Sequence, residues 1–192
     1  MSIITKEVKD EMELQSYFVK RIEKYIASKG KKLIGWDEIL EGGLPERATV
    51  MSWRGYTGGI EAIRTGHDVV MTPTDYCYFD YYQGKESEEP IANGSILSLE
   101  KVYSFNPVPQ TLTADQTKYI LGAQANLWSE YLPNEKQAEY MAFPRLCAMA
   151  EILWTPRVLQ NYPNFLLRLN AHLQRLEKYS VNYRPVNQCR QN

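Results

Sequence analysis

Leu33-Ile34-Gly35-Trp36-Asp37-Glu38 is the stretch on which the fold prediction rests. Its short apolar run predicts a strand, and an aromatic residue followed by two acids comes directly after it. Three more segments predict short strands, at Thr49–Trp53, Asp68–Met71 and Tyr119–Gln124. Each predicted strand is followed by a segment that combines aromatic and charged residues, either directly or after a loop.

Helical patterns alternate with these strands. Leu14, Phe18 and Ile22 recur at helical spacing, which predicts an amphipathic helix from Lys6 to Lys29. Further helices are predicted at 57–66, at 134–153 with a break or restart near Pro144, and from Pro163 onward. Strands that alternate with helices favour an α/β fold with a parallel sheet.

The stretch from Thr72 to Asp115 contains no strong periodicity and is predicted to be a long loop. Its polar middle, Gly84–Ser95, is predicted to be mobile. Long loops inside compact domains are usually functional, so we expect part of the site here.

Composition excludes several functional classes. The chain has 192 residues, 44% of them hydrophobic and 23% charged, with a net charge of −1. These values suit one soluble domain with its own core and give no electrostatic reason to expect a nucleic-acid or membrane partner. We find no apolar run of the ~20 residues that a membrane helix needs. The start, Met1–Lys6, lacks the apolar core of a signal peptide, and the compartment stays open.

Metal chemistry is not indicated either. The cysteines, Cys77, Cys147 and Cys189, form no CxxC pair, and the histidines are His67 and His172. This spacing does not match that of zinc sites, so we expect free or buried thiols, no metal and no cofactor. The sequence alone does not decide whether two of these cysteines form a disulfide bond.

Four segments combine aromatic with charged side chains: Trp36-Asp37-Glu38, Trp53-Arg54, Tyr78-Phe79-Asp80 and Trp128-Ser129-Glu130. In α/β folds, residues just past the carboxyl ends of parallel strands line the ligand site. Aromatic faces pack on the C–H faces of a sugar ring, and carboxylates accept hydrogen bonds from its hydroxyls. The pattern therefore predicts a pocket for a neutral, polyhydroxylated ring.

The ordered set of motifs resembles the family 20 glycoside hydrolases, the β-N-acetylhexosaminidases. The matching strings are Ile34-Gly35-Trp36-Asp37-Glu38, Val50-Met51-Ser52-Trp53-Arg54, Tyr78-Phe79-Asp80, Gly122-Ala123-Gln124-Ala125-Asn126-Leu127-Trp128-Ser129-Glu130, Phe143-Pro144-Arg145-Leu146, Ala150-Glu151 and Trp154. The resemblance runs from the first helix to about Tyr183. It implies a partial (β/α)8 TIM barrel, with residues 1–192 forming its C-terminal half, roughly strands five to eight with their helices.

The resemblance also implies a mechanism. In the family, the substrate's own 2-acetamido oxygen attacks the anomeric carbon, and an Asp-Glu pair after the fourth strand orients the acetamido group and transfers the proton. That pair ends a His-x-Gly-Gly-Asp-Glu segment, which this sequence does not contain. We therefore expect the chain alone to be nearly inactive.

By the same resemblance, Tyr78 would hydrogen-bond the acetamido oxygen and help to aim it. Trp36, Trp53 and Trp128 would line the sugar pocket, with Trp128 under the ring. Asp80 and Glu130 would accept hydrogen bonds from the hydroxyls of the non-reducing end. These residues position a substrate without supplying a proton.

Several of these residues have a purely structural alternative to a role in the site. Asp37 and Glu38 could be the catalytic pair, but structural hydrogen bonding is their favoured role. For Arg54, a salt bridge is favoured over contact with the ligand. Trp36 and Trp53 could be core residues. The rivals for the role of Tyr78 are Tyr76, Tyr81 and Tyr82. Arg145 and Glu151 are expected to form a buried ion pair.

The partner implied by the resemblance is a glycan with a terminal β-linked N-acetylhexosamine, and the choice between gluco and galacto stays open. An alternative function is a non-catalytic carbohydrate-binding half-barrel. Half a barrel exposes two strand edges and apolar surface, so we expect either the missing N-terminal half or a second copy, giving a homodimer, to cover them. Family members are often periplasmic, secreted or lysosomal, but no address is visible in this sequence.

Overall fold

The computed structural model describes residues 10–186 of the chain. Within this range the helices are α1 (Glu11–Ser28), α2 (Thr57–Arg64), α3 (Thr74–Cys77), α4 (Leu99–Tyr103), α5 (Ala114–Thr117), α6 (Glu135–Ala142), α7 (Arg145–Trp154) and α8 (Tyr162–Lys178). The strands are β1 (Ile34–Trp36), β2 (Thr49–Ser52), β3 (Val69–Met71), β4 (Tyr81–Tyr82), β5 (Asn93–Ile96) and β6 (Ile120–Ala123). The described residues divide into two compact units, 10–74 with 107–124 and 75–106 with 125–186.

The first unit is built on a four-stranded parallel sheet in the order β1-β2-β3-β6. Ile34 is in register with Thr49, Val50 with Val69, and Val69 with Ile120. All four predicted strands are confirmed, each shortened by a residue or two. Because the strands are parallel, their carboxyl ends all lie at the same end of the sheet. Trp36 ends β1 there, and Trp53 follows β2.

Helix α2 packs tightly on the sheet because Gly59 has no side chain. A Cβ atom there would lie 2.9 Å from Met71 Sδ and 3.2 Å from Val69 Cγ1. The hydroxyl of Ser52 accepts a hydrogen bond from Gly59 N over 2.8 Å. Val69 and Met71 are fully buried, so the close approach of helix and strands makes the core of this unit.

Helix α1 begins at Glu11, where the side chain of Asp10 caps it by accepting from Glu13 N over 2.8 Å. The predicted start at Lys6 lies outside the described residues. The apolar stripe does not face a core, since Phe18 is 64% and Leu14 44% exposed. The helical spacing was read correctly, but no described element covers this face.

Most of the predicted long loop, 72–115, lies in the second unit and forms regular structure there. Residues 72–115 contain α3, α4 and the parallel pair β4-β5. The polar stretch 84–95 holds a 3-10 turn at Glu86–Glu88 and most of β5. Glu89 anchors it, because its carboxylate accepts from Arg184 Nε over 2.6 Å and from the Tyr140 hydroxyl over 2.8 Å.

Three helices complete this unit. The predicted helix at 134–153 is two helices, α6 and α7, with the interruption at Pro144 that the sequence indicated. Phe165 and Leu169 of α8 are buried, as its apolar stripe predicts. Cys77 and Cys147 are free thiols, and burial raises the pKa of both, that of Cys147 to about 11. Cys189 lies outside the described residues. In the part of the chain that the structure covers, no helix is long and apolar enough to cross a membrane.

Candidate functional site

The first unit holds Asp37 in a closed hydrogen-bond network. Asp37 begins a 3-10 turn rather than continuing the strand, and it is 1% exposed. Its Oδ2 accepts from the backbone N–H groups of Trp53 and Arg54 over 3.1 and 3.2 Å, and its Oδ1 accepts from Arg54 Nε over 2.6 Å. A carboxylate held this way is a structural anchor between the ends of β1 and β2. The ion pair expected of Arg54 is confirmed.

Glu38 orients the indole of Trp53. Trp53 Nε1 donates to both carboxylate oxygens of Glu38, over 3.0 and 3.1 Å. The sequence favours structural hydrogen bonding for Glu38 over a catalytic role, and this contact makes Glu38 the residue that holds the Trp53 ring. Trp36 and Trp53 are both half-buried, so neither is a fully enclosed core residue.

In the second unit, two segments run side by side and carry four of the predicted site residues. Tyr78 and Asn126 form an isolated parallel bridge. Phe79 N donates to Asn126 O, and Asn126 N donates to Cys77 O, each over 2.7 Å. Because the pairing is parallel, Asp80 and Trp128 each lie two residues beyond the bridge on neighbouring segments.

The aromatic rings of this cluster are close to one another. The Tyr78 ring centroid lies 6.3 Å from that of Trp128 and 5.7 Å from that of Tyr81, at interplanar angles of 50° and 52°. Trp128 is 42% exposed, which is unusual for so large an apolar side chain. A partly exposed indole beside the phenol of Tyr78 is a surface on which a sugar ring can stack.

Asn93 joins the two acidic side chains of the cluster. Its Nδ2 donates to Asp80 Oδ2 and to Glu130 Oε2, each over 3.4 Å. Asp80 is 4% exposed, whereas Glu130 is exposed. Asn93 was not identified from the sequence, because it lies in the stretch that was predicted to be mobile.

The two carboxylates differ in environment. Burial raises the pKa of Asp80, and the nearby charge of Glu130 adds to the rise, while its backbone hydrogen bond, the contact with Asn93 and the charge of Arg145 oppose it. An ionised Asp80 can only accept hydrogen bonds. The cluster therefore suits a ligand that donates, such as a hydroxyl.

Arg145 fixes the segment that bears Asp80, and the predicted Arg145–Glu151 ion pair is wrong. The fully buried guanidinium donates to the carbonyls of Phe79, Tyr81 and Leu97, over 2.5, 3.0 and 3.0 Å. It also donates to Met141 O over 2.7 and 3.2 Å. Backbone carbonyls carry no sequence signature, so the sequence suggested a carboxylate instead.

Glu151 pairs with Arg168 on the neighbouring helix. Arg168 Nη1 and Nη2 each donate to its carboxylate over 2.6 Å, and Tyr103 donates over 3.0 Å. These contacts lower the pKa of Glu151, chiefly through Arg168. Glu151 and Arg168 line a groove of about 490 Å³ between α7 and α8, which none of the six predicted site residues lines.

The fold and the site together define a class of protein. Parallel strands alternating with helices, with aromatic and acidic residues just past the strand ends, are typical of (β/α)8-type proteins that act on small polar substrates. Comparison with known proteins gives the family: glycosyl hydrolase family 20, catalytic domain, matches residues 1–157. The chain belongs to glycosyl hydrolase family 20.

Two relatives give the scale of the match. The chain is 52% identical over 177 residues to a beta-hexosaminidase of Porphyromonas gingivalis, covering 92% of this chain and 23% of that protein. It is 34% identical over 144 residues to a beta-hexosaminidase of Vibrio furnissii, covering 73% of this chain and 24% of that protein. The chain thus spans about a quarter of the length of these relatives.

Solved structures agree with the fold. An exo beta-N-acetylglucosaminidase from Vibrio harveyi, in complex with N-acetylglucosamine, is similar with a TM-score of 0.84 and 34% identity, over 92% of this chain and 28% of that one. The Streptomyces plicatus N-acetyl-beta-hexosaminidase, in complex with Thio-NAglucal, gives 0.80 and 26%, over 92% and 37%. The predicted fold class, an α/β chain forming part of a (β/α)8 barrel, is confirmed.

Proposed function

We propose that this chain supplies the sugar-binding wall of a β-N-acetylhexosaminidase. The enzyme would hydrolyse terminal β-linked N-acetylglucosamine or N-acetylgalactosamine with retention, through attack by the substrate's own acetamido oxygen. Family membership supports a hydrolase of this class, and the names of the relatives support the sugar. Residues 1–192 would be the C-terminal half of the catalytic barrel.

The observation that carries the proposal is the cluster in the second unit. An exposed indole, Trp128, lies beside the phenol of Tyr78, and Asp80 and Glu130 share the amide of Asn93. In this arrangement Trp128 stacks under the sugar ring and Tyr78 donates to the acetamido oxygen. Asp80 and Glu130 accept from the hydroxyls of the non-reducing end.

Trp36 and Trp53, in the first unit, would also contact the sugar, as the family resemblance implies. Their half-buried indoles and the two hydrogen bonds from Trp53 to Glu38 support this role, since a fixed ring presents the same face to every substrate. A pocket built from pre-positioned rings loses little conformational entropy when the sugar binds.

The general acid would come from outside these 192 residues. Asp37 is locked by Arg54 and by two backbone N–H groups, and Glu38 is held by Trp53. Neither carboxyl is arranged to exchange a proton with a leaving group, whereas a general acid must be. The chain's coverage of about a quarter of its relatives is compatible with this division of roles.

Hydrolysis by the protein expressed from its complete coding sequence tests the proposal. We expect release of nitrophenol from p-nitrophenyl β-N-acetylglucosaminide and almost none from the matching β-glucoside, which lacks the acetamido nucleophile. Glu130→Ala should raise KM for the first substrate. Equal rates on both substrates would contradict the substrate-assisted mechanism, and family-level turnover by residues 1–192 alone would contradict the placement of the acid.

We further propose that residues 1–192, produced alone, associate with a second copy of themselves. Strands β1 and β6 lie at the two edges of the sheet, and Ile34 on β1 is 52% exposed. Helix α1 presents Phe18 and Tyr25, each 64% exposed. Open edges and a large apolar patch favour association, and in the whole protein the rest of the barrel would cover them.

Light scattering on the isolated chain measures this association directly. We expect a dimer or larger species, and Phe18→Glu should shift the population toward the monomer because it places a charge in the apolar contact. The control is Leu167→Glu, on the exposed face of α8, where the side chain is 71% exposed. A monodisperse monomer for the unmodified chain would contradict the proposal.

A further inference from the structure

Asn93 is an uncharged donor that lies between two acceptors, Asp80 and Glu130. Ionised Asp80 and Glu130 can only accept hydrogen bonds, whereas the amide of Asn93 can donate two and accept through its oxygen. A sugar hydroxyl has one proton to donate and lone pairs to satisfy. Two carboxylates can accept a hydrogen bond from this hydroxyl, but they cannot donate one to its oxygen. Asn93 is therefore placed to donate to the oxygen of a hydroxyl that Asp80 or Glu130 accepts from.

The position of Asn93 is fixed by the backbone. Asn93 begins β5 and pairs with Tyr81 of β4, and its N–H donates to Asp80 O over 2.9 Å. Its side chain is thereby held beside Asp80. The two contacts of Nδ2 are 3.4 Å long, beyond the usual range for an N–H···O hydrogen bond, so neither carboxylate saturates the amide.

A second observation points independently to a ligand at this place. Asp80 Oδ1 is buried and has no hydrogen-bond partner among the described residues. A buried carboxylate oxygen without a donor is unfavourable and calls for one. A hydroxyl that donates to Asp80 would relieve this deficit and would then have its own oxygen within reach of the Asn93 amide.

We propose that Asn93 is a sugar-contacting residue that determines specificity, donating to the oxygen of a non-reducing-end hydroxyl whose proton Asp80 or Glu130 accepts. The assignment rests on the function proposed above and deepens it. Because the amide and the carboxylates occupy fixed directions, only one orientation of the hydroxyl satisfies both. Asn93 thus helps to choose between the equatorial and axial 4-hydroxyls that distinguish gluco from galacto sugars.

Deoxy substrates separate this role from a structural one. In the protein from its complete coding sequence, Asn93→Leu should lower kcat/KM on p-nitrophenyl β-N-acetylglucosaminide about tenfold, as loss of one hydrogen bond predicts. On the 4-deoxy or the 6-deoxy analogue the penalty should largely disappear, because the contact is already missing. A penalty of equal size on all three substrates would overturn the proposal.

Two further variants keep the result interpretable. Ser95→Ala, at an exposed position on the same strand, should leave kcat/KM unchanged. Asn93→Asp preserves size but replaces the donor with a third acceptor, and its loss should exceed that of Asn93→Leu at neutral pH and shrink as the pH falls. An inactive unmodified protein would contradict the proposed function itself, whereas an active protein insensitive to Asn93→Leu and Asn93→Asp would overturn only this assignment.

Discussion

The main chains of Tyr78 and Asn126 form a parallel bridge, with Phe79 N donating to Asn126 O over 2.7 Å. Two chain segments that are 48 positions apart in sequence thereby meet, and Asp80 and Trp128 each lie two residues beyond the bridge. Backbone pairing thus brings together the two segments that carry the side chains proposed to contact the sugar. The rigidity of this alignment rests on the groups that hold the two segments.

Arg145 is the residue that we expect to matter most for that rigidity. Arg145→Met should lower the free energy of unfolding by about 3–5 kcal/mol, because it strands buried carbonyls that the guanidinium now satisfies. Urea denaturation followed by circular dichroism measures this change. Arg145→Lys should recover only part of the loss, since one ammonium cannot reach the carbonyls of Phe79, Tyr81 and Leu97 together.

Arg168→Met is the matched control for Arg145. Arg168 is 56% exposed in its side chain and forms an ion pair with Glu151. The Arg168 side of this bidentate pair faces solvent, which screens the interaction, so the loss should be roughly 1 kcal/mol and smaller than that of Arg145→Met. Equal losses for the two substitutions would show that the carbonyl contacts of Arg145 are not what stabilises the segment.

Glu38 should act through Trp53 and not through proton transfer. Glu38→Gln keeps an oxygen that accepts from Trp53 Nε1, and we expect kcat/KM to fall by no more than about threefold, whereas a general acid contributes 10²–10⁴-fold. Glu38→Ala frees the indole and should raise KM further with little change in kcat. A loss of kcat beyond 10²-fold in Glu38→Gln would instead make Glu38 a proton donor.

Trp128 should matter more for binding than for stability. Its side chain is 42% exposed, so Trp128→Ala should lower the free energy of unfolding by roughly 1 kcal/mol, well below the cost of about 3–5 kcal/mol for a fully buried Trp. KM should nevertheless rise about tenfold or more, because the stacking face is lost. Trp128→Phe should restore part of the affinity. Unchanged KM in Trp128→Ala would remove Trp128 from the site.

We expect the buried carboxyl of Asp80 to lower the free energy of unfolding at neutral pH. Burial raises the pKa of this carboxyl in the folded state above its unfolded value. Between those two pKa values the folded state binds more protons, so stability falls as the pH rises through the folded pKa. Asp80→Asn should therefore raise the free energy of unfolding at pH 7. This gain should vanish at a pH below the unfolded pKa of Asp80.

The same titration should be visible in catalysis. An Asp80 that is protonated at low pH has lost its charge and carries a donor on one oxygen, so it accepts hydrogen bonds more weakly and kcat/KM of the unmodified protein should fall as the pH drops through its pKa. Asp80→Asn should lower kcat/KM at neutral pH and remove this contribution to the acid limb. An acid limb identical in both proteins would assign it to another group.

Much of the fold and part of the candidate site could be predicted from the sequence. The four strands of the sheet were found because buried parallel strands read as short apolar runs, such as Thr49–Ser52. Tyr78, Asp80, Trp128 and Glu130 were grouped because family motifs have recognisable strings. Contacts to backbone have no such string. The carbonyl ligands of Arg145 and the bridge by Asn93 therefore required coordinates.

The apolar stripe of α1 shows a different limit of sequence reading. Spacing predicts which side chains share a face, and Phe18 and Ile22 do follow the helical period. It cannot say whether anything covers that face. The polar stretch from Gly84 shows the converse, because a single buried ion pair, Glu89 with Arg184, fixes a segment whose composition suggested mobility.

A crystal structure of the complete protein with bound N-acetylglucosamine tests the central claim most directly. We predict Trp128 under the sugar ring, the Tyr78 hydroxyl within about 3 Å of the acetamido oxygen, and Asp80 and Glu130 on the non-reducing-end hydroxyls. A sugar bound elsewhere, with these four side chains free of it, would contradict the account.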